Sequence, residues 1–181
     1  MRWRVARGYV PGMRAVGLLV ALLATLLLAV LPSRAAAEIR IQHGIAGVTL
    51  GMTRSQVTEI LGPADRIAVS YLGESQVKYV RAYWVGRKLE AAFIDTTEDT
   101  SEGSTPGTSM LSVETRNRAQ RTRSGIGVGS TERAVRRRVR GAACTTYRGR
   151  RSCAVGDPGS RQTTFSMTRG RVAAVSVSDV F

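Results

Sequence analysis

Histidine is nearly absent from this 181-residue chain, with His43 the single example, and cysteine is limited to Cys144 and Cys153. That inventory leaves no His and carboxylate grouping at metal-ligand spacing and no thiol beside a histidine base. A G-x-S-x-G elbow is missing as well, so nothing singles out a nucleophile. No catalytic residue, metal or cofactor is expected, and the chain reads as a non-enzyme. Acid is scarce too: 13 Asp and Glu stand against 27 Lys and Arg, a formal net charge of +14. Almost all of the positive charge is arginine, a pattern that coding bias alone can produce. Only one long apolar run occurs, Ala15 to Leu31, so no later segment is expected to span a bilayer.

Arg2, Arg4, Arg7 and Arg14 precede that run, and Pro32-Ser33-Arg34-Ala35-Ala36-Ala37 follows it. A basic start, an apolar stretch and a small-residue A-x-A site are the three parts of a secretory signal peptide. Residues 1–37 are read as that peptide, with cleavage near Ala37; the alternative is an uncleaved membrane anchor. Beyond residue 37, 22 basic and 13 acidic residues remain, a balance of +9. In a cytoplasmic protein this balance would point to nucleic acid. For a secreted or cell-envelope-associated bacterial protein it points instead to an acidic protein, an acidic envelope polymer or an anionic lipid surface. Nucleic acid is not expected as a partner. In an oxidising compartment Cys144 and Cys153 read as one structural disulfide, since a redox pair usually needs C-x-x-C spacing at a helix start.

Self-similarity organises what remains. Gly47-Val48-Thr49-Leu50-Gly51-Met52-Thr53-Arg54-Ser55-Gln56-Val57 aligns without a gap on Gly125-Ile126-Gly127-Val128-Gly129-Ser130-Thr131-Glu132-Arg133-Ala134-Val135. Thr53 with Gln56 three positions later is a capping box. Val57, Ile60 and Leu61 then make one apolar stripe at helical spacing, matched by Val135 and Val139, and the helices end at Gly62 and Gly141. The motif glycines suggest close backbone approach. They lack the G-x-x-x-x-G-K-[ST] pattern of a phosphate loop.

After each helix the pattern becomes that of a β-hairpin: Val77 to Val85 turning at Gly86-Arg87-Lys88 into Leu89 to Ile94, and Thr163 to Met167 turning at Thr168 to Arg171 into Val172 to Val177. A polar insert, residues 95–109, separates the first hairpin from a further strand at Met110 to Thr115. Its four acids lack the spacing of a calcium loop. The expected fold is therefore α+β, built twice, with residues 38–118 as the first unit and 119–181 as the second, disulfide-bearing one.

The phrase Gly47-Val48-Thr49-Leu50-Gly51-Met52-Thr53 with Val57 and Leu61-Gly62-Pro63 resembles the opening of β-lactamase-inhibitor-protein-like domains and of SmpA/OmlA-type outer-membrane assembly lipoproteins. The tandem arrangement in a secreted chain is most similar to the first group. That resemblance implies helix-loop-helix units packed on a curved antiparallel β-sheet, and a non-catalytic protein that binds another protein, as an inhibitor or an envelope-assembly factor, through the open sheet face. No residues match an inhibitory loop.

Two groups of side chains are candidates for partner contact. Alternation along the first hairpin strand turns Val80, Ala82 and Trp84 toward the helices and Tyr79, Arg81 and Tyr83 outward, and Tyr and Arg are enriched at interaction hot spots. Arg133, Arg137 and Arg140, with Arg148 in the stretch between the cysteines, form the densest basic patch. It is either a solvated helix face or a dock for an acidic polymer or anionic membrane surface.

Overall fold

Both aligned motifs turn through left-handed backbone at the same places. Gly47 and Gly51 have φ of 87° and 86°, and their counterparts Gly125 and Gly129 have 79° and 91°. Nothing lies within 4 Å of a Cβ built on Gly51 or Gly129, so conformation, not the expected close approach, requires glycine there. Among the glycines of the two motifs, close backbone approach is confined to Gly127, where a Cβ would sit 2.3 Å from the Gln120 carbonyl oxygen. The computed structural model describes residues 38–72, 77–95, 108–157 and 159–179.

The first motif opens helix α1 (Arg54–Leu61), capped as the sequence predicts: the Gln56 amide donates to Thr53 Oγ1 and the Thr53 amide to Gln56 Oε1. The second opens α2 (Glu132–Arg138), where the Ala134 amide donates to Thr131 Oγ1. Val57, Leu61, Val135 and Val139 are buried, but Ile60, expected in the same stripe, is 44% exposed.

Four very short strands, β1 (Glu38–Arg40), β2 (Gly44–Ile45), β3 (Val48–Thr49) and β8 (Arg121–Thr122), form a small sheet in the order β3-β2-β1-β8. The remaining strands are β4 (Arg66–Leu72), β5 (Val77–Trp84), β6 (Leu89–Asp95), β7 (Thr108–Thr115), β9 (Ala143–Tyr147), β10 (Arg150–Val155), β11 (Arg161–Thr168) and β12 (Arg171–Asp179). They form one antiparallel sheet in the order β4-β5-β6-β7-β12-β11-β10-β9.

The expected α+β repeat of helix-loop-helix units is thereby overturned. Among the described residues only two helices occur, each a single short segment, and the fold is mostly β with two sheets. The segments that follow each helix, to which the sequence pattern assigns no element, run as strands. Ile67, Val69 and Tyr71 alternate with Arg66, Ala68 and Ser70, a period of two that suits a pleated strand and no helix. Helix α2 ends at Arg138 with Val139 already extended, two residues before the expected stop at Gly141, and Ala143 to Val155 forms a hairpin whose two turn residues, Arg148 (φ 46°) and Gly149 (φ 74°), both lie in the left-handed region. Such turns match the natural strand twist. The signal-peptide reading, and residues 96–107 of the polar insert, fall outside the described residues.

One core joins everything that is described. Phe93, Met110, Val113, Phe165, Val175 and Val177 from the large sheet meet Ile39, Ile45, Val57, Leu61 and Val135 from the other layer, all buried. Trp84 Nε1 donates to the Gly62 carbonyl at 3.0 Å, tying β5 to the end of α1. Across the sheet, Gln42 N donates to the buried Thr163 Oγ1 at 2.7 Å.

Cys144 and Cys153 are bonded, and they are directly paired residues of β9 and β10, with Cα atoms 3.9 Å apart. The bridge therefore staples the outermost hairpin instead of closing a free loop. Replacing both cysteines by serine is expected to cost about 2–3 kcal/mol and to lower the melting temperature by roughly 5–10 °C. A thermal melt without reductant checks this; an unchanged midpoint would mean that strand pairing alone holds the hairpin.

Candidate functional site: the uncovered face of the large sheet

Strand pairing fixes which side chains share a face. Val80, Ala82, Trp84, Phe93, Val113, Val177, Phe165 and Cys153 all point toward the helices and the small sheet, and all are buried. The residues between them point the other way, where no described element covers them. One row crosses all eight strands on that outer face: Arg66, Tyr83, Glu90, Glu114, Ser176, Thr164, Ala154 and Ala143 are successive partners. The next row runs Ala68, Arg81, Ala92, Ser112, Ser178, Gln162.

The outer face has a patterned chemistry. Its centre is small and polar, whereas its flanks carry tyrosine rings with guanidinium groups over them. Arg66 lies 4.2 Å from the Tyr83 ring centre, Arg81 lies 5.5 Å from that of Tyr79, and Arg148 lies 5.2 Å from that of Tyr147. Stacks of this kind hold both side chains in place while leaving the far edge of each ring available. At one end of the face a cleft of about 330 Å³ opens among Tyr83, Glu90, Glu114, Lys88 and Arg116. Glu114 accepts from Arg116 Nε at 3.0 Å, and Glu90 is its direct neighbour across the strands.

The structure therefore brings together Tyr79, Arg81 and Tyr83, as their alternation predicts, and sets Arg148 at the far flank of the same face. Arg133, Arg137 and Arg140 are not part of this group. They are exposed on or just after α2, which packs on the opposite side of the sheet. The residues that sequence reasoning missed are Arg66, Tyr147, Glu90 and Glu114. The alternation from Arg66 to Tyr71 and the Tyr147-Arg148-Gly149 turn signal were present in the sequence, but β4 and β9 had to be recognised as strands before Arg66 and Tyr147 could be assigned to a face; Glu90 and Glu114 lie on strands the sequence does predict, and only the pairing of β6 with β7 brings them together.

On the α2 side, Glu132 anchors the helix to β10. Arg151 donates to it through Nε at 3.1 Å and through its terminal nitrogen, and Arg136 donates at 3.1 Å. The hydrogen bonds from Arg151 hold the Glu132 carboxyl below its ordinary value of 4.5, against an opposing push from desolvation. A carboxylate with a depressed folded pKa stabilises the fold above its unfolded value, and that contribution is lost as pH falls through the folded one. Acid titration of the melting temperature is therefore expected to fall more steeply for wild type than for Glu132→Gln below pH 4.5; parallel curves would remove the linkage. The sulfurs of Cys144 and Cys153 lie close to this carboxylate, but they are bonded to each other and offer no thiolate to a metal.

No described helix is long and apolar enough to cross a membrane. No protein-family profile matches the sequence, and no curated protein does. Among solved structures, a chain from Bacillus anthracis str. Ames, described as an extracellular protein containing a SCP domain, is similar at TM-score 0.42 and 8% identity. The match covers 72% of this chain and 44% of that one, so this chain spans less than half of that protein's length. A likeness this distant bears on neither activity nor partner.

Proposed function

We propose that the chain is a secreted, non-enzymatic binding module whose uncovered sheet face docks an extracytoplasmic protein. The observation that carries this reading is the placement of three tyrosine–arginine stacks on a broad face that no described element covers. Tyr and Arg dominate protein-interface hot spots because they supply large contact area and directional hydrogen bonds at small entropic cost. Arg66, Arg81 and Arg148 at the flanks favour a partner that presents carboxylates there. The cleft at one end, where Glu90 and Glu114 stand beside Lys88 and Arg116, offers both signs of charge to a polar side chain. The disulfide suits a protein that folds in an oxidising compartment. The resemblance of the helix-entry motifs to those of β-lactamase-inhibitor-protein-like and outer-membrane assembly domains points the same way.

A second reading rests on a different observation. Arg133, Arg137 and Arg140 are exposed, and no ion pair among the described residues involves them. On this reading the α2 side associates with acidic polymer or an anionic membrane surface, and the association weakens steeply with salt. Capture from culture medium and envelope extracts, at low salt and at about 0.5 M salt, separates the two. A stoichiometric protein retained at high salt supports docking on the sheet face. Wall polymer or lipid that is released by salt, with no protein retained, supports the α2 side instead.

A further inference from the structure

The two edges of the large sheet are finished differently. At one edge β9 is five residues long, its core-side positions are Cys144, bonded to its neighbour, and Thr146, and Arg140, Arg148 and Arg150 flank it. These are the usual devices that keep a strand edge from pairing with another chain: short length, polar inward side chains and clustered charge. At the other edge β4 is seven residues long, pairs with β5 in an unbroken register, and contains no proline, lysine or bulge. Its core-side residues are apolar, yet Ile67 is 51%, Val69 48% and Tyr71 63% exposed. The described elements leave about half of each side chain open. A long, regular edge with an uncovered apolar stripe is a surface built for a further strand.

We infer that a second copy of this chain supplies that strand, with the two β4 strands antiparallel about a twofold axis at Val69. The sequence of β4 is complementary to itself in that arrangement, and among the antiparallel registers that keep both apolar stripes on the core side it alone sets all three of Ile67, Val69 and Tyr71 opposite apolar residues within the strand. Val69 faces its own counterpart, Ile67 faces the partner copy's Tyr71, and the apolar stripe becomes continuous on the core side. On the outer side Ala68 faces Ser70, both small. The only charged residue of the strand, Arg66, falls opposite position 72, so like charges do not meet. A shift of one residue would set the apolar stripe of one copy on the opposite face from that of the other, and a parallel alignment in register would stack Arg66 on Arg66. Isologous pairing of this kind is the commonest symmetry of soluble oligomers.

The consequence for the outer face is geometric. β5 adjoins β4, so the Tyr79, Arg81 and Tyr83 groups of the two copies would lie three strand spacings apart, roughly 14 Å, on one continuous sheet. The inference does not depend on the binding reading, and neither outcome below bears on that reading.

The test is sedimentation equilibrium on the exported chain and on Val69→Lys, with cysteine cross-linking as a register check. Wild type is expected to be dimeric at micromolar concentration. Val69→Lys, which sets two ammonium groups on the axis, is expected to weaken association by about tenfold or more with an unchanged melting temperature at dilutions where both proteins are monomeric. Val69→Cys is expected to give a covalent dimer on mild oxidation. Ala68→Cys and Ser70→Cys are each expected to cross-link poorly alone and efficiently when mixed. A wild type that stays monomeric to the highest concentration reached overturns the inference. So does a folded Val69→Lys that still dimerises, or an Ala68→Cys that links to itself as readily as Val69→Cys. Should Val69→Lys not fold, the cross-linking pattern alone decides.

Discussion

Phe93→Ala and Phe165→Ala are each expected to destabilise the protein by about 3–5 kcal/mol, and to lower one and the same melting transition. Phe93 and Phe165 are the largest fully buried side chains. They occupy corresponding places, on the strands that flank the central β7–β12 pair. Deleting either ring removes its transfer free energy and leaves a cavity that neighbouring strands cannot close, because their register is pinned on both sides. Against a total stability of 5–15 kcal/mol for a typical domain, either change is severe, equivalent to a melting shift of roughly 6–20 °C. The single transition is the sharper part of the prediction. Residues from both halves share one core, and β7 joins β12 across the middle of the sheet. Calorimetry that resolved two transitions, each sensitive to only one of the two substitutions, would show that the halves fold independently.

The second large effect concerns binding. Tyr79→Ala with Tyr83→Ala is expected to weaken capture of the extracytoplasmic partner by about 100-fold or more, the scale on which paired hot-spot truncations act. The melting temperature should hardly change, because both rings lie on the face turned away from the core and their neighbours Val80, Ala82 and Trp84 carry the packing. Arg66→Ala should reproduce part of the loss without touching the partner's core contact, since Arg66 holds the Tyr83 ring from 4.2 Å. Surface plasmon resonance with the captured partner measures both. A double variant that binds like wild type would show that the tyrosines merely pad the sheet.

How far the sequence spoke for itself differs from element to element. The Thr53 and Gln56 capping box, the stripe of Val57 and Leu61, and the inward turn of Val80, Ala82 and Trp84 were legible because each depends on local backbone geometry alone. The disulfide was legible from compartment and count, but its role was not. Only the pairing of Cys144 opposite Cys153 on adjacent strands reveals a staple instead of a loop closure. The fold class was misjudged at Arg66 to Leu72 and at Ala143 to Val155. In the first, a polar–apolar alternation sits on an edge strand whose apolar side is half exposed, so burial gives no contrast to mark it. In the second, arginines at 148, 150 and 151 obscure a hairpin whose turn signal is the two-residue Arg148-Gly149. The basic patch on α2 was visible as composition, yet its separation from the tyrosine cluster is a property of tertiary packing. Helix α2 is anchored through Glu132 to the inner side of β10, which sets Arg133 and Arg137 on the far side of the sheet from Tyr83.

That separation makes the central claim open to one direct measurement. Partner affinity is compared for wild type, for Tyr79→Ala/Tyr83→Ala on the outer face, and for Arg133→Glu/Arg137→Glu/Arg140→Glu on the helix side, all at the same ionic strength. Docking on the uncovered sheet face predicts a large loss for the tyrosine variant and little change for the arginine variant. A large loss for the arginine variant with the tyrosine variant unaffected would contradict it and move the binding surface to α2.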